Sequence, residues 1–281
     1  MKERRTRGIV LQVRDHAESD KLVTFYSPNL GRVTGIAKGA KRSKRRFVNK
    51  LEPFTQLHIF YRPSRNSSLL FLANAELDNA YLSLRQQYSR YVTAMLIAEL
   101  VLCFTREGDG DPTTFRLLAW ALGSLDRGLP PLQTATLFHL RILGEAGYRP
   151  VLNRCSVCDR EVSPDIIFFL PPSSGMLICH RCRNESAASN FTLSTQTLKF
   201  LHNAQILDLN RLERLRMSRQ ATVESLNILY RYTQHLLQQD IHSYRFLNLS
   251  LKDPPKKQQE RRPSPAVDTT QNLPPALNRC E

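Results

Sequence analysis

Cys155-Ser156-Val157-Cys158 is followed, after twenty residues, by Cys179-His180-Arg181-Cys182. A Cys-x-x-Cys turn points both sulfurs to one side of a tight loop, and two such knuckles facing each other supply four thiolates for a tetrahedral zinc ion. Four sulfurs close the coordination shell and leave no position for water, so the Zn2+ expected on Cys155, Cys158, Cys179 and Cys182 is structural, not catalytic. Residues 166–170 and 176–178 flank a Pro171-Pro172-Ser173-Ser174-Gly175 turn and would form the short hairpin of a zinc ribbon. A redox pair or four metal-free thiols would use the same residues, but the doubled knuckle favours zinc. His180, between two ligands, is read as exposed or behind the ligands.

The second chemical feature is charge. The 281 residues carry 40 Lys and Arg against 25 Asp and Glu, a formal charge of +15. Such a surplus attracts polyanions, in a way that salt weakens. Residues 1–80 hold 16 basic and 7 acidic residues, so most of the surplus lies there. The densest run, Lys38-Gly39-Ala40-Lys41-Arg42-Ser43-Lys44-Arg45-Arg46, has six cations in nine positions. It lacks the Gly-Lys-Ser/Thr of a Walker loop. It is therefore either a solvated loop or a contact for phosphates, and phosphate contact is the preferred reading.

No catalytic constellation accompanies these features. Asp15, His16, Glu18 and Asp20 lie close together but have neither a nucleophile nor metal-ligand spacing. The seven histidines form no hydrolase or metalloprotease pattern. The His-x-Glu and Pro-Cys-x-x-Cys pair of a zinc deaminase is missing. The expected class is a binding module, not an enzyme.

Elements must position the two features. The first 80 residues read as five short β-branched and aromatic strands, at 9–13, 22–26, 33–37, 54–60 and 69–72, separated by Gly/Pro/Asn segments. Five strands fit an oligonucleotide-binding (OB) fold β-barrel, although an SH3-like barrel would read similarly. On such a barrel Phe25, Tyr26, Phe60 and Tyr61 could stack bases, but core positions are the preferred reading for each. From residue 84 the period becomes helical. Tyr88, Tyr91, Met95, Ala98 and Leu102 form one expected core stripe, and Phe115, Leu118, Leu122 and Leu125 another. Asp111-Pro112-Thr113 predicts a helix start, and residues 132–146 a further helix ending at Gly147. Helical patterning resumes over 194–204 and 221–239, with Val223, Leu226, Tyr230, Thr233 and Leu237 on one stripe.

The expected architecture is α+β and multidomain. It comprises an OB-fold domain (1–80), a helical domain in two parts (81–152 and 186–250) and an inserted four-cysteine zinc ribbon (153–185). A Pro-, Lys- and Gln-rich tail (251–281) is expected to be disordered. No apolar run approaches the ~20 residues of a membrane span. The apolar run at 8–13 is too short for a signal-peptide core, so a reducing cytoplasm is expected.

This order of parts resembles one family, RecO, the bacterial recombination mediators. The resemblance is carried by Gly8-Ile9-Val10-Leu11, Glu18-Ser19-Asp20-Lys21-Leu22-Val23, Leu30-Gly31-Arg32-Val33, Ala37-Lys38-Gly39-Ala40-Lys41-Arg42 and Leu51-Glu52-Pro53-Phe54. Gly147-Tyr148-Arg149-Pro150 before the first knuckle and Ser243-Tyr244-Arg245-Phe246-Leu247 extend it over about residues 1–250. It implies a non-enzymatic DNA-repair and recombination protein that binds single- and double-stranded DNA and anneals complementary strands. The implied partners are RecR, single-strand-binding protein and, functionally, RecA and RecF, with no membrane and a cytoplasmic, nucleoid-associated location during repair. The resemblance places DNA contact on the loop around Lys38, Lys41 and Arg42. Lys44, Arg45 and Arg46 extend that loop here, and Arg32 joins the candidate set. Two other classes stay open at this point: a zinc-ribbon RNA-binding or transcription-associated factor using Arg154, Arg160, Arg181 and Arg183, and a zinc-dependent nuclease.

Overall fold

A computed structural model describes residues 2–64, 68–183 and 192–252. The N-terminal part is a closed five-stranded barrel of β1 (Arg4–His16), β2 (Asp20–Ser27), β3 (Gly31–Ala37), β4 (Gln56–Arg62) and β5 (Leu70–Asn79). Their order around the barrel is β1-β2-β3-β5-β4, as expected for an OB-like fold. The 13-residue β1 makes closure possible. Its first half pairs with β4, Arg4 opposite Tyr61 through Ile9 opposite Gln56, and its second half with β2, as far as His16 opposite Asp20. The register changes between Val10 and Gln12, where a bulge turns the strand from one partner to the other. A short parallel pairing of β3 with β5, Gly35 opposite Leu70 and Ile36 opposite Phe71, joins the remaining edges.

Alternation decides what fills the barrel. Val23 and Phe25 of β2, Leu57, Ile59 and Tyr61 of β4, and Leu72 and Ala75 of β5 point inward. Phe47 and Leu51 join them from the β3–β4 connection, so the long basic loop is anchored at its far end. Tyr26, with Ile9, Leu11 and Phe54, belongs instead to the larger core shared with the helices. The aromatics considered as stacking platforms are thus core at Phe25, Tyr26 and Tyr61, while Phe60 is half-buried beneath the Arg5 guanidinium at 5.4 Å.

The helical part begins with α1 (Ser83–Gln86), α2 (Tyr88–Phe104), α3 (Pro112–Asp126) and α4 (Pro131–Glu145). Asp111 caps α3, accepting from the Thr113 and Thr114 N–H groups at 2.9 Å each, with Pro112 in the first turn. The stripe expected at the start of α2 is displaced. Tyr88 is 61% exposed and Tyr91 38%, whereas Val92, Leu96, Ile97, Leu100 and Val101 are buried. This helix is apolar on most faces, so periodicity alone does not select the inward one; its packing against α4, α1 and the barrel does. The stripe of α3 lies in the core as expected.

The second half comprises α5 (Thr195–Ile206), α6 (Leu209–Leu212), α7 (Arg219–Leu237) and α8 (His242–Lys252). Ser194 and Ser218 cap α5 and α7. On α7 the inward face is Thr222, Ser225, Leu226, Ile228, Leu229, Tyr232 and Thr233. Leu226 and Thr233 of the expected stripe are buried, and Val223, Tyr230 and Leu237 only partly so. The Pro-rich stretch expected as a tail lies, from residue 253, outside the described residues. Among the described residues, no helix is long and apolar enough to cross a membrane.

Barrel and helices are clasped together. The Tyr26 hydroxyl donates to the Asp111 carbonyl and accepts from its N–H, at 3.4 and 3.3 Å. Gly31 (φ +65°) lets the β2–β3 turn approach so closely that a Cβ there would sit 2.3 Å from the Asp109 carbonyl oxygen. At the other end Tyr81 donates to Gln56 at 2.9 Å, and Arg85 donates to the Pro53 carbonyl at 2.6 Å.

Candidate metal centre and nucleic-acid interface

The four cysteines come together. β6 (Phe168–Phe169) and β7 (Ile178–Cys179) pair antiparallel, Phe168 opposite Cys179, forming the hairpin expected from the Pro-Pro-Ser-Ser-Gly turn. The first knuckle closes through Cys155 N–H to the Arg160 carbonyl at 2.8 Å and Asp159 N–H to the Cys155 carbonyl at 3.0 Å. Asp159 takes φ +56°, which reverses the chain. The second knuckle closes through Cys182 N–H to the Cys179 carbonyl at 3.0 Å. The Ser156 N–H bonds the Leu177 carbonyl at 2.7 Å and so ties the knuckles to each other.

The four Sγ atoms lie within 4.8 Å of one another, and Cys158 and Cys179 are 3.7 Å apart. A tetrahedron with metal–sulfur bonds of about 2.3 Å has edges of about 3.8 Å, so this donor set fits a zinc-sized ion. The crowded sulfurs also perturb one another's thiols. Burial pushes the Cys155 thiol up, but N–H groups from Cys179, Cys158 and Val157 outweigh it and bring it down to about 6. Cys182 is held up at about 12 because its proton bridges to the Cys158 and Cys179 sulfurs. A divalent cation would hold all four as thiolates. His180 is exposed, not a fifth ligand.

The knuckle region is not a separate bead. Cys155, Val162, Phe168, Leu170, Leu177 and Cys179 belong to the same buried cluster as α2, α3, α4 and α7. Gly175 (φ +63°) closes the hairpin against α7, where a Cβ would lie 2.5 Å from the Tyr232 ring. Arg154 pairs with Asp159 at 3.1 Å, and the Arg183 guanidinium sits 4.2 Å above the Phe169 ring.

The basic run is the start of the β3–β4 connection. Lys38, Lys41, Arg42, Lys44, Arg45 and Arg46 are all exposed. Lys38, Lys44 and Arg45 make no salt bridge among the described residues. The loop is nevertheless held. Arg46 donates to the Lys38 carbonyl at 3.0 Å, and Lys50 Nζ donates to the carbonyls of Arg45, Arg46 and Ala75 at 3.1, 3.3 and 2.8 Å. The β1–β2 turn supplies the other anchor. Asp20 accepts from Gly39 N–H at 2.8 Å, Lys41 N–H bonds the Ser19 carbonyl at 2.9 Å, and Asp15 and Glu18 face Lys41 and Arg42 at 3.2 and 3.9 Å. The Gly39 bond, opposed only in part by desolvation, holds the Asp20 carboxyl below its usual value. The acidic cluster without catalytic spacing thus positions cations. Hairpin register was its signal: Ser27 opposite Gly31 carries through to Lys21 opposite Ala37 and brings Asp20 beside the loop.

Arg32 is placed differently from the other candidate cations. Its guanidinium turns from the barrel toward the helices and donates to the Leu102 carbonyl in the last turn of α2. A cation at that C-terminus also meets the negative end of the helix dipole.

Comparison with known proteins agrees with this geometry. Residues 1–81 match the family described as Recombination protein O N terminal, and residues 85–245 that described as Recombination protein O C terminal. A DNA repair protein RecO of Syntrophobacter fumaroxidans is 34% identical over 247 residues, covering 88% of this chain and 98% of that protein. Those of Pelotomaculum thermopropionicum and Desulfosudis oleivorans are 32% and 30% identical, covering 88% and 85% of this chain and 94% and 95% of their own lengths.

Proposed function

The chain belongs to the recombination protein O family of DNA repair proteins, and from that premise we propose that it is a non-enzymatic mediator that anneals complementary DNA strands. With RecR it helps RecA onto gapped single-stranded DNA coated by single-strand-binding protein, with a RecF-like protein as a further partner. The observation that carries this reading is the anchored loop, six exposed cations on one connection of an OB-like barrel. Phosphate contact displaces counterions, and lowering the repulsion between two polyanions is the physical requirement for annealing. Lys38, Lys41, Arg42, Lys44, Arg45 and Arg46 are the DNA contacts in this reading, whereas Arg32 holds the barrel to α2. Zn2+ on Cys155, Cys158, Cys179 and Cys182 would be structural, and action would be cytoplasmic, at the nucleoid during repair.

The test is fluorescence-monitored annealing of complementary oligonucleotides, bare and coated with single-strand-binding protein, across a salt series. Reversal of Lys41, Arg42, Lys44 and Arg45 to Glu is expected to lower DNA affinity and flatten its salt dependence. An unchanged slope would remove the loop from the interface, and no acceleration by the wild type would remove the annealing activity.

A further inference from the structure

Charge summed over long segments hides a local excess in the helical half. From residue 211 to 219 the chain carries Arg211, Arg214, Arg216 and Arg219 against one acid, Glu213. That acid turns inward, accepting from Ser124 Oγ at 2.9 Å and pairing with Arg127 of the α3 terminus. It therefore neutralises an arginine from another element. No salt bridge joins the next acids along the chain, Asp208 and Glu224, to Arg211, Arg214 or Arg216 among the described residues, and Glu224 accepts from Gln220 at 2.8 Å.

The last turn of α6 and the connection after it present Arg211, Arg214 and Arg216 in order. Gln133, buried in the first turn of α4, donates from Nε2 to the Leu215 carbonyl at 2.8 Å and accepts at Oε1 from Met217 N–H at 3.2 Å. A carbonyl and the N–H two residues on are what a neighbouring strand would bond. The connection is held as an extended chain would be, with Leu215 and Met217 packed on the core and Arg214, Arg216 and Ser218 exposed. Leu212, fully buried, anchors the preceding turn. Arg216 is steadied by the carbonyls of Glu213 and Leu215, at 2.8 and 3.0 Å, which leave its charge uncompensated. Arg211, Arg214 and Arg216 make no salt bridge among the described residues. Arg214 lies on the turn that ends α6, its N–H bonding the Arg211 carbonyl at 3.1 Å, and Arg216 follows on the stretch that Gln133 holds.

We propose that the last turn of α6 and the α6–α7 connection, through Arg211, Arg214 and Arg216, are a second surface for the phosphate backbone of a nucleic-acid strand. It is held by α3 and α4, whereas the basic loop is held by barrel residues, so the two cationic surfaces are built independently. The proposal rests on the annealing reading for what a second strand is for. One surface concentrates one polyanion; two on one molecule bring a pair together.

The test compares the full chain with R214A/R216A, R214K/R216K and the loop variant K44A/R45A, using fluorescent oligothymidylate for binding and complementary oligonucleotides for annealing. Wild type is expected to bind two strands and R214A/R216A one, with the salt slope reduced by about 1.4 for two lost single-strand contacts. Annealing should fall at least tenfold, the Lys variant should restore it, and K44A/R45A should keep the strand bound at the connection. Unchanged stoichiometry and slope in R214A/R216A would overturn the proposal, as would loss of binding to a fluorescent oligoglutamate peptide alone, which would make this a surface for acidic peptides. Two strands bound by a wild type that does not anneal would support this surface and overturn the annealing reading.

Discussion

Replacing Gly175 by alanine tests whether the cysteine hairpin is docked on α7 or merely tethered near it. Two costs add. A side chain at φ +63° is strained by about 1–2 kcal/mol. The new methyl would also meet the Tyr232 Cζ, Cε2 and Oη atoms at 2.5–2.7 Å, on a ring that is buried and cannot swing aside. Overpacking of this kind costs about 1–3 kcal/mol, and a stiffer unfolded chain returns about 0.4–1 kcal/mol. The sum is about 1–4.6 kcal/mol, with a middle value of about 3 kcal/mol. Gly147 is the internal control: it has φ +84° but nothing within 4 Å of a built Cβ, so Gly147→Ala bears only the backbone strain. The assay is amide hydrogen exchange over residues 151–179 in the metal-loaded full chain. At the middle value Gly175→Ala should accelerate it by about a hundredfold, at about 1.4 kcal/mol per tenfold. Gly147→Ala should accelerate it less than tenfold. Adding Tyr232→Leu should make the double variant at least about 1 kcal/mol more stable than the sum of the single variants. Equal effects at the two glycines, or no relief from Tyr232→Leu, would refute the docking argument.

Two further outcomes follow from buried chemistry. Burial lowers the His139 imidazole to about 3; its Nε2 lies 2.7 Å from Thr233 Oγ1, and its Nδ1 has no protein partner among the described residues. The unfolded chain protonates near pH 6.5, so this histidine's contribution is intact above that value and lost as pH falls toward about 3, by at most about 1.4 kcal/mol per unit. Denaturant titrations between about pH 7 and pH 5 should show a shallower pH dependence for His139→Leu than for wild type, and parallel profiles would contradict this. Removing metal with a tight chelator should release about one zinc per chain and strip protection from residues 151–183 while β1–β5 stay protected, since structural zinc in small modules supplies on the order of 10 kcal/mol. Protection unchanged by chelation would contradict a structural metal.

What the chain determines by itself is what neighbours in sequence decide. The cysteine pairs carry their geometry within four-residue turns, and Asp111-Pro112 and Ser194 mark helix starts through bonds two or three residues long. Alternating β-branched and aromatic residues mark the strands, and six cations in nine positions cannot be buried. The tertiary structure decided whatever depends on which distant surfaces meet. An α2 apolar on most faces has no preferred inward side until α4 and the barrel are packed on it, so Tyr88 and Tyr91 lie outside the core. Arg32 reads as one more barrel cation, and only the docking of α2 turns it onto the Leu102 carbonyl. Asp20 becomes an anchor for the basic loop because strand register carries it there. The hairpin shares the helical core because Gly175 admits the Tyr232 ring. The arginines after α6 point outward because Gln133, over eighty residues earlier, holds their backbone. Local spacing specifies ligands and caps, whereas a side chain's partner across the fold depends on packing and register that no short window of sequence contains.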